Sequence, residues 1–234
     1  MVKPERVGEV REVIYSEERW TLLQQFRKKA LTIMEKLEVF DPIVHGSVAR
    51  GDVDKESDID IFLQASPTPY IVEVSLARHG FEILRREIVM ATPWQLPKAH
   101  IYLDEKTSVT VPLLKPTKLE LEFYHFGGAL DFNDLRANKR APGVDKRLML
   151  IEPTPQGHIE SSIIGKEEET AKLLGVSPEI VRERVQVLMK RAEVGHTGLF
   201  IKRELLPHES IEEVFKKEVL ENPLARMRLS GQGK

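Results

Sequence analysis

The sequence predicts an α/β (α+β) protein whose chain ends in a helical or winged-helix-like domain. Three observations carry this. Apolar residues at helical spacing lead into a short strand that breaks at Gly46 and Ser47; residues 83–114 are strand-rich; and residues 166–194 read as helix, stop, helix. At 234 residues, 41% hydrophobic and 31% charged, with 14 Gly and 14 Pro, the chain has the composition of a folded globular protein with material for two domains. The expected division is 1–150 and 151–234, because Pro153, Pro155 and Gly157 punctuate the sequence near the boundary.

Taken in order, Trp20, Leu23, Phe26, Ala30, Met34 and Leu37 recur at helical spacing and predict an amphipathic helix over 17–37. Its charged face carries no functional signal. Ile43 and Val44 form a short apolar run ending at Gly46 and Ser47, a strand breaking into a turn. A polar connector over 52–57 leads to Asp58, Ile59, Asp60, Ile61, Phe62 and Leu63, whose period of two places both carboxylates on one face of a strand. A helix over 71–79 ends at Gly80, and strands follow over 83–90, 100–103 and 108–114. Leu119, Glu120, Leu121, Glu122 and Phe123 alternate again and predict a second acidic strand. Beyond the boundary come helices over 166–174 and 178–194, a strand over 199–206, a helix over 209–220 and a basic tail over 225–234.

Composition excludes several chemistries. The absence of Cys removes disulfides, thiol nucleophiles and thiolate zinc sites, so any metal rests on oxygen or His ligands. His125, His158, His196 and His208 lack the spacing of a zinc site, and His45 reads as a packed residue. Phe123, Tyr124 and Phe126 read as core. Neither a signal peptide nor a membrane span is evident, which predicts a cytoplasmic protein without a membrane partner. A net charge of −2 and a pI near 6.4 advertise no global affinity for nucleic acid. Two stretches, 135–147 and 182–203, nonetheless each hold an excess of +4 (five basic against one acidic residue, and six against two). Oligomeric state is open between monomer and dimer.

Two carboxylates held close on a strand repel each other unless a cation lies between them. Hard oxygen ligands suit Mg²⁺, and a two-ion scheme for phosphoryl transfer needs a third carboxylate. Glu120 is the first candidate and Glu122 the second. Gly46 permits close backbone approach, and Ser47 adds a hydroxyl, so both are candidates for binding the triphosphate of an NTP. Arg50, in the following turn, either contacts phosphate or braces the acidic strand.

The run Gly46, Ser47, Val48, Ala49, Arg50, Gly51, followed by Ser57, Asp58, Ile59, Asp60, Ile61, Phe62 and Leu63, resembles the signature of the DNA polymerase beta-like nucleotidyltransferase superfamily. It is most similar to small archaeal predicted nucleotidyltransferases and to the catalytic segment of archaeal CCA-adding enzymes. The resemblance implies a mixed sheet flanked by helices, Asp58 and Asp60 as metal ligands, a third acid on a later strand, and transfer of a nucleotide from an NTP with release of pyrophosphate. The acceptor is not specified by these residues.

The C-terminal segment resembles a helix-turn-helix. Ala171 allows two helices to cross closely, Gly175 ends the first, and Ser177 with Pro178 starts the second. Arg182, Arg184, Lys190 and Arg191 follow on that second helix, suited to contact with RNA or DNA. Against this, 151–234 holds 13 basic and 14 acidic residues. Two functions therefore compete: an Mg²⁺-dependent nucleotidyltransferase acting on an acceptor hydroxyl, with RNA as one acceptor, and a non-catalytic nucleotide-binding regulator that binds DNA.

Overall fold

The computed structural model describes residues 10–195 and 198–226. His196 and residues 227–234 of the expected tail lie outside them. The fold is mixed α/β, a mixed sheet flanked by helices, as the sequence predicts. Its two compact units are interleaved along the chain: among the described residues the first takes 10–32, 43–59 and 117–195, the second 33–42, 60–116 and 198–226.

In the first unit, β1 (Arg11–Ile14), β8 (Gly143–Val144), β9 (Met149–Thr154) and β10 (Gly157–Ser162) form an antiparallel sheet in the order β1-β10-β9-β8. The β9–β10 hairpin runs straight through the expected domain boundary. Pro153, Pro155 and Gly157 belong to it: Pro153 sits on β9 opposite His158, beyond the stretch that β8 pairs, so its missing N–H costs no ladder bond on that side. Gly157 is required by close approach, since a Cβ there would lie 1.8 Å from the Val13 carbonyl oxygen of β1. Gly157→Ala is therefore expected to displace β1 and cost about 2–3 kcal/mol, the scale of overpacking, read as a lower urea midpoint. A wild-type midpoint would refute the close-approach argument. Glu160 on β10 is buried and pairs with Arg147 at 2.6 Å and with Arg11.

The first unit also holds β2 (Pro42–His45), antiparallel to β7 (Ala129–Asp131), and helices α2 (Ser47–Arg50), α4 (Lys118–Phe126), α5 (Phe132–Arg136), α6 (Glu167–Leu174) and α7 (Pro178–Val194). Most of the long helix α1 (Glu17–Lys36) lies here too. Residues 119–123, expected as a strand, are helical. Alternation over five residues is compatible with either period, and Thr117 decides between them: its side chain accepts from the Glu120 N–H while the Glu120 carboxylate accepts from the Thr117 N–H, a capping box that starts α4. Gly175 adopts the left-handed conformation that ends α6, and Ala171, Val176, Ile180, Val181 and Val185 of the α6–α7 pair share a core with Phe126 of α4 and Leu150 of β9. The helical pair is thus built into this unit and is not a separate C-terminal body.

The second unit carries a sheet in the order β11-β4-β5-β6-β3, formed by β3 (Ile59–Leu63), β4 (Arg85–Met90), β5 (Lys98–Asp104), β6 (Thr107–Pro112) and β11 (Ile201–Glu204). β4, β5 and β6 form an antiparallel meander, and β11 pairs antiparallel with β4. Helices α3 (Pro69–Arg78) and α8 (Ile211–Phe215) pack together, α8 continuing as a π-turn over Lys216–Leu220. Phe62, Leu76, Ile88, Met90 and Ile101 are fully buried.

Candidate active site

Gly46 follows β2 with φ 75° and ψ −144°, a conformation that L side chains rarely adopt, and this turns the chain directly into α2. Its N–H donates to the Gly128 carbonyl at 2.9 Å, so what Gly46 contributes is the turn rather than a free donor. Ser47, half-buried, begins α2.

The carbonyls at the end of this single helical turn are held by Arg27 of α1, which is 4% exposed: its Nε donates to the Val48 oxygen at 3.1 Å and its Nη2 to the Ala49 oxygen at 3.0 Å. Nη1 reaches the Lys139 carbonyl at 2.7 Å and the Asn138 Oδ1 at 3.3 Å. Burial, and then the neighbouring Arg140, lower the Arg27 pKa to about 10. Arg50 is equally enclosed. It donates to the Gly127 carbonyl at 2.6 Å and to Asp52 at 3.0 Å, with its stem against the Cα of Gly128. Both contacts are to residues beside the turn and neither is to the acidic strand. Arg19 extends the scaffold to the carbonyls of Asp52 and Val53.

An Asp54–Ser57 turn then delivers the acidic strand, the Ser57 hydroxyl accepting from the Asp54 N–H at 2.9 Å and Asp54 Oδ1 accepting from the Glu56 N–H at 2.8 Å. Asp58 is exposed, Ile59 buried, Asp60 half-buried and Ile61 buried, as expected for a strand with one apolar face. Asp60 Oδ1 accepts from the Ser108 hydroxyl at 2.8 Å. The donor set offered by Asp58 and Asp60 is hard oxygen, which fits Mg²⁺.

Glu120 and Glu122 stand on helix α4 and not on a strand beside Asp58 and Asp60. Glu120 is committed to the capping box. Glu122 accepts from the N–H of Ser177 at 3.2 Å and from its hydroxyl, placing a carboxylate at the start of α7, with Lys118 at 3.5 Å. Burial pushes the Glu122 carboxyl up, yet the Ser177 hydrogen bonds and Lys118 outweigh it and hold the pKa below the ordinary 4.5. Its stabilising contribution is therefore complete above the ordinary carboxylate pKa and lost as pH falls through the lowered folded value. Glu122→Gln should flatten the fall in melting temperature at pH values below 4.5; an unchanged acid limb would contradict this. Among the described residues, no group of three or more His, Asp or Glu side chains could hold a metal.

The expectations for the neighbouring rings hold. His45 packs edge-on against Tyr124 at 4.8 Å, and Tyr124 and Phe126 are buried. On α7, Arg184 lies over Phe123 at 5.0 Å and Arg182 pairs with Glu168 of α6, so both make contacts within the unit. The sequence reading missed Arg27 and Ser108; the alternation of Ser108 and Thr110 with Val109 and Val111 marks a polar strand face but not the strand that lies beside it.

Residues 27–114 match the model of the family described as nucleotidyltransferase domain. The match spans Arg27, the Gly46–Ser47 turn, Asp58, Asp60 and all of β6, and it supports the polymerase beta-like superfamily and a general function in nucleotidyl transfer. No curated protein and no solved structure matches the chain.

Proposed function

We propose that this protein is an Mg²⁺-dependent nucleotidyltransferase that moves a nucleotide from an NTP to an acceptor hydroxyl and releases pyrophosphate. One observation carries the reading: Asp58 and Asp60 stand two residues apart at the start of β3, inside the segment that matches the nucleotidyltransferase domain. Asp58 and Asp60 would hold the metal, two ions in the full scheme, which neutralise the triphosphate and polarise the reacting oxygens. Ser47 would contact the triphosphate through its hydroxyl and N–H, while Gly46, Arg27 and Arg50 fix the turn that presents it. Catalysis then rests on positioning and charge, with no protein nucleophile.

The test is incorporation of labelled NTP, offered with Mg²⁺ and with total RNA, DNA or cell extract, by the wild type and by Asp58→Ala and Asp60→Ala. Loss of labelling in both variants is expected; unchanged labelling would sink the proposal. The acceptor class is read from whichever fraction becomes labelled, and RNA is the acceptor proposed.

A second reading, a DNA-binding regulator with a nucleotide-binding first segment, is favoured by the left-handed Gly175 between α6 and α7 and by exposed Arg182 and Lys190 on α7. Tight, Mg²⁺-independent DNA binding without turnover of any NTP would select it.

A further inference from the structure

A row of side chains runs from Asp60 across one face of the second unit's sheet. Ser108 of β6 donates to Asp60 Oδ1 at 2.8 Å and is the register partner of Tyr102 on β5, which is in turn the register partner of Arg85 on β4. Four consecutive strands, β3, β6, β5 and β4, thus contribute one residue each. Register partners point to the same face, and the contacts agree: the Arg85 guanidinium carbon lies 3.4 Å above the centre of the Tyr102 ring. At a spacing of about 4.8 Å per strand, Tyr102 stands about 10 Å from Asp60.

Arg85 is held differently from its neighbour Arg86. On the opposite face, Arg86 donates four hydrogen bonds, to Glu73 at 2.9 Å and to the carbonyls of Leu206 at 2.8 Å, Pro207 at 3.1 Å and Glu209 at 3.1 Å. Arg85 instead rests against an aromatic ring, with Glu87 Oε2 at 3.5 Å, and its side chain is 31% exposed. Tyr102 is fixed beneath it, its hydroxyl donating to Oε1 of the buried Glu87 at 2.7 Å. Burial, and then this bond, push the Tyr102 pKa up to about 12, so the ring stays neutral. Lys202 of β11 lies 3.8 Å from Glu87 Oε2, so the carboxylate has a cation besides Arg85.

A guanidinium stacked on an aromatic ring presents its second face as a flat surface, and planar nucleobases stack on such surfaces. The Arg85 charge is already met by Glu87, so a ring gains more there than an anion does. Resting on the function proposed above, we propose that the Arg85–Tyr102 stack is the platform on which the base of the NTP lies, with Asp60 at the triphosphate end of the row. The ribose spans the interval between them. Stacking engages a π-face that every base has, so all four NTPs depend on the platform.

The test is equilibrium binding, by calorimetry with Mg²⁺ and no acceptor, of each of the four NTPs and of inorganic tripolyphosphate, which has the phosphates without the base. Arg85→Ala should weaken the NTPs by about 10-fold or more and leave tripolyphosphate unchanged. Arg85→Lys keeps the charge and loses the plane, so its NTP affinity should fall as that of Arg85→Ala does. Tyr102→Leu should behave likewise. Tyr102→Phe, which keeps the ring and drops the bond to Glu87, should bind NTPs as the wild type does even where its melting temperature falls.

Equal weakening of NTP and tripolyphosphate by Arg85→Ala, with rescue by Arg85→Lys, would make Arg85 a phosphate contact and overturn the inference. Unchanged NTP affinity in Arg85→Lys would overturn it too. Asp60→Asn separates the stack from the functional proposal, since it should weaken NTP and tripolyphosphate together. If it does so while the Arg85 variants bind as the wild type, only the platform loses its role. A wild type that binds neither NTP nor tripolyphosphate removes both.

Discussion

Asparagine in place of Asp60 is expected to reduce nucleotide transfer by about 100- to 1,000-fold, the range seen when one preorganised electrostatic group is removed from a reacting centre. The substitution separates charge from structure. Asn keeps the size of the side chain and an Oδ1 that still accepts from Ser108, so the strand and its neighbour β6 stay as they are. What is lost is one negative charge from the pair. The affinity for Mg²⁺ should fall with it, so the Mg²⁺ concentration for half-maximal rate rises while the melting temperature in metal-free buffer holds or increases, two like charges having become one. Ser108→Ala should be milder, about 10- to 100-fold, because it removes only the bond that orients the carboxylate. Asp58 has a different setting, exposed where Asp60 is half-buried, and Asp58→Asn removes the second charge of the pair. If both carboxylates hold the same ions, the double variant will lose scarcely more than either single one. Parallel measurement of kcat at saturating NTP and of the Mg²⁺ dependence checks all four variants, and wild-type transfer by Asp60→Asn would end the argument for a metal-dependent reaction here.

The acidic strand was legible because its evidence is local. A period of two over Asp58–Leu63 fixes the carboxylate face wherever the strand lies in the sheet, and a glycine before Ser47 announces the turn that φ 75° confirms. Residues 119–123 were misread for the converse reason. Glu120 and Glu122 fit an acidic strand as well as an acidic helix, and the deciding contact, Thr117 with Glu120, is a capping box whose first member stands outside the alternating run. The β9–β10 hairpin was misread as a boundary because Pro and Gly mark any turn, whether it separates domains or joins two strands. The bond of Ser108 to Asp60 could not be found locally at all, since it exists only once β6 lies beside β3, a fact of sheet order that no spacing along the chain encodes.

Arg27 presents the same difficulty in a form that stability measurements can address, since on sequence it was one more cation on a charged helix face. Folding takes it to 4% exposure and directs all three guanidinium nitrogens at the backbone of the α2 turn and of Lys139 and at the Asn138 side chain. Arg27→Met keeps the length of the side chain and much of its packing, yet takes the guanidinium donor from the carbonyls of Val48 and Lys139, while the Ala49 carbonyl keeps the Ala141 N–H at 3.1 Å. At about 1–3 kcal/mol for each of the two acceptors left unmade, partly recovered by relaxation, the expected loss is about 2–4 kcal/mol, seen as a lower urea midpoint at unchanged slope. Arg27→Lys should rescue only part of it, because one ammonium cannot span acceptors that the planar guanidinium reaches on separate edges. The consequence reaches the reaction as well. The residues released by the substitution are those that follow Ser47, so the NTP concentration for half-maximal rate should rise in whatever folded protein remains, while the Mg²⁺ dependence set by Asp58 and Asp60 stays put. A variant with the wild-type midpoint would show that these carbonyls find other donors, and that the turn before Gly51 holds its shape without Arg27.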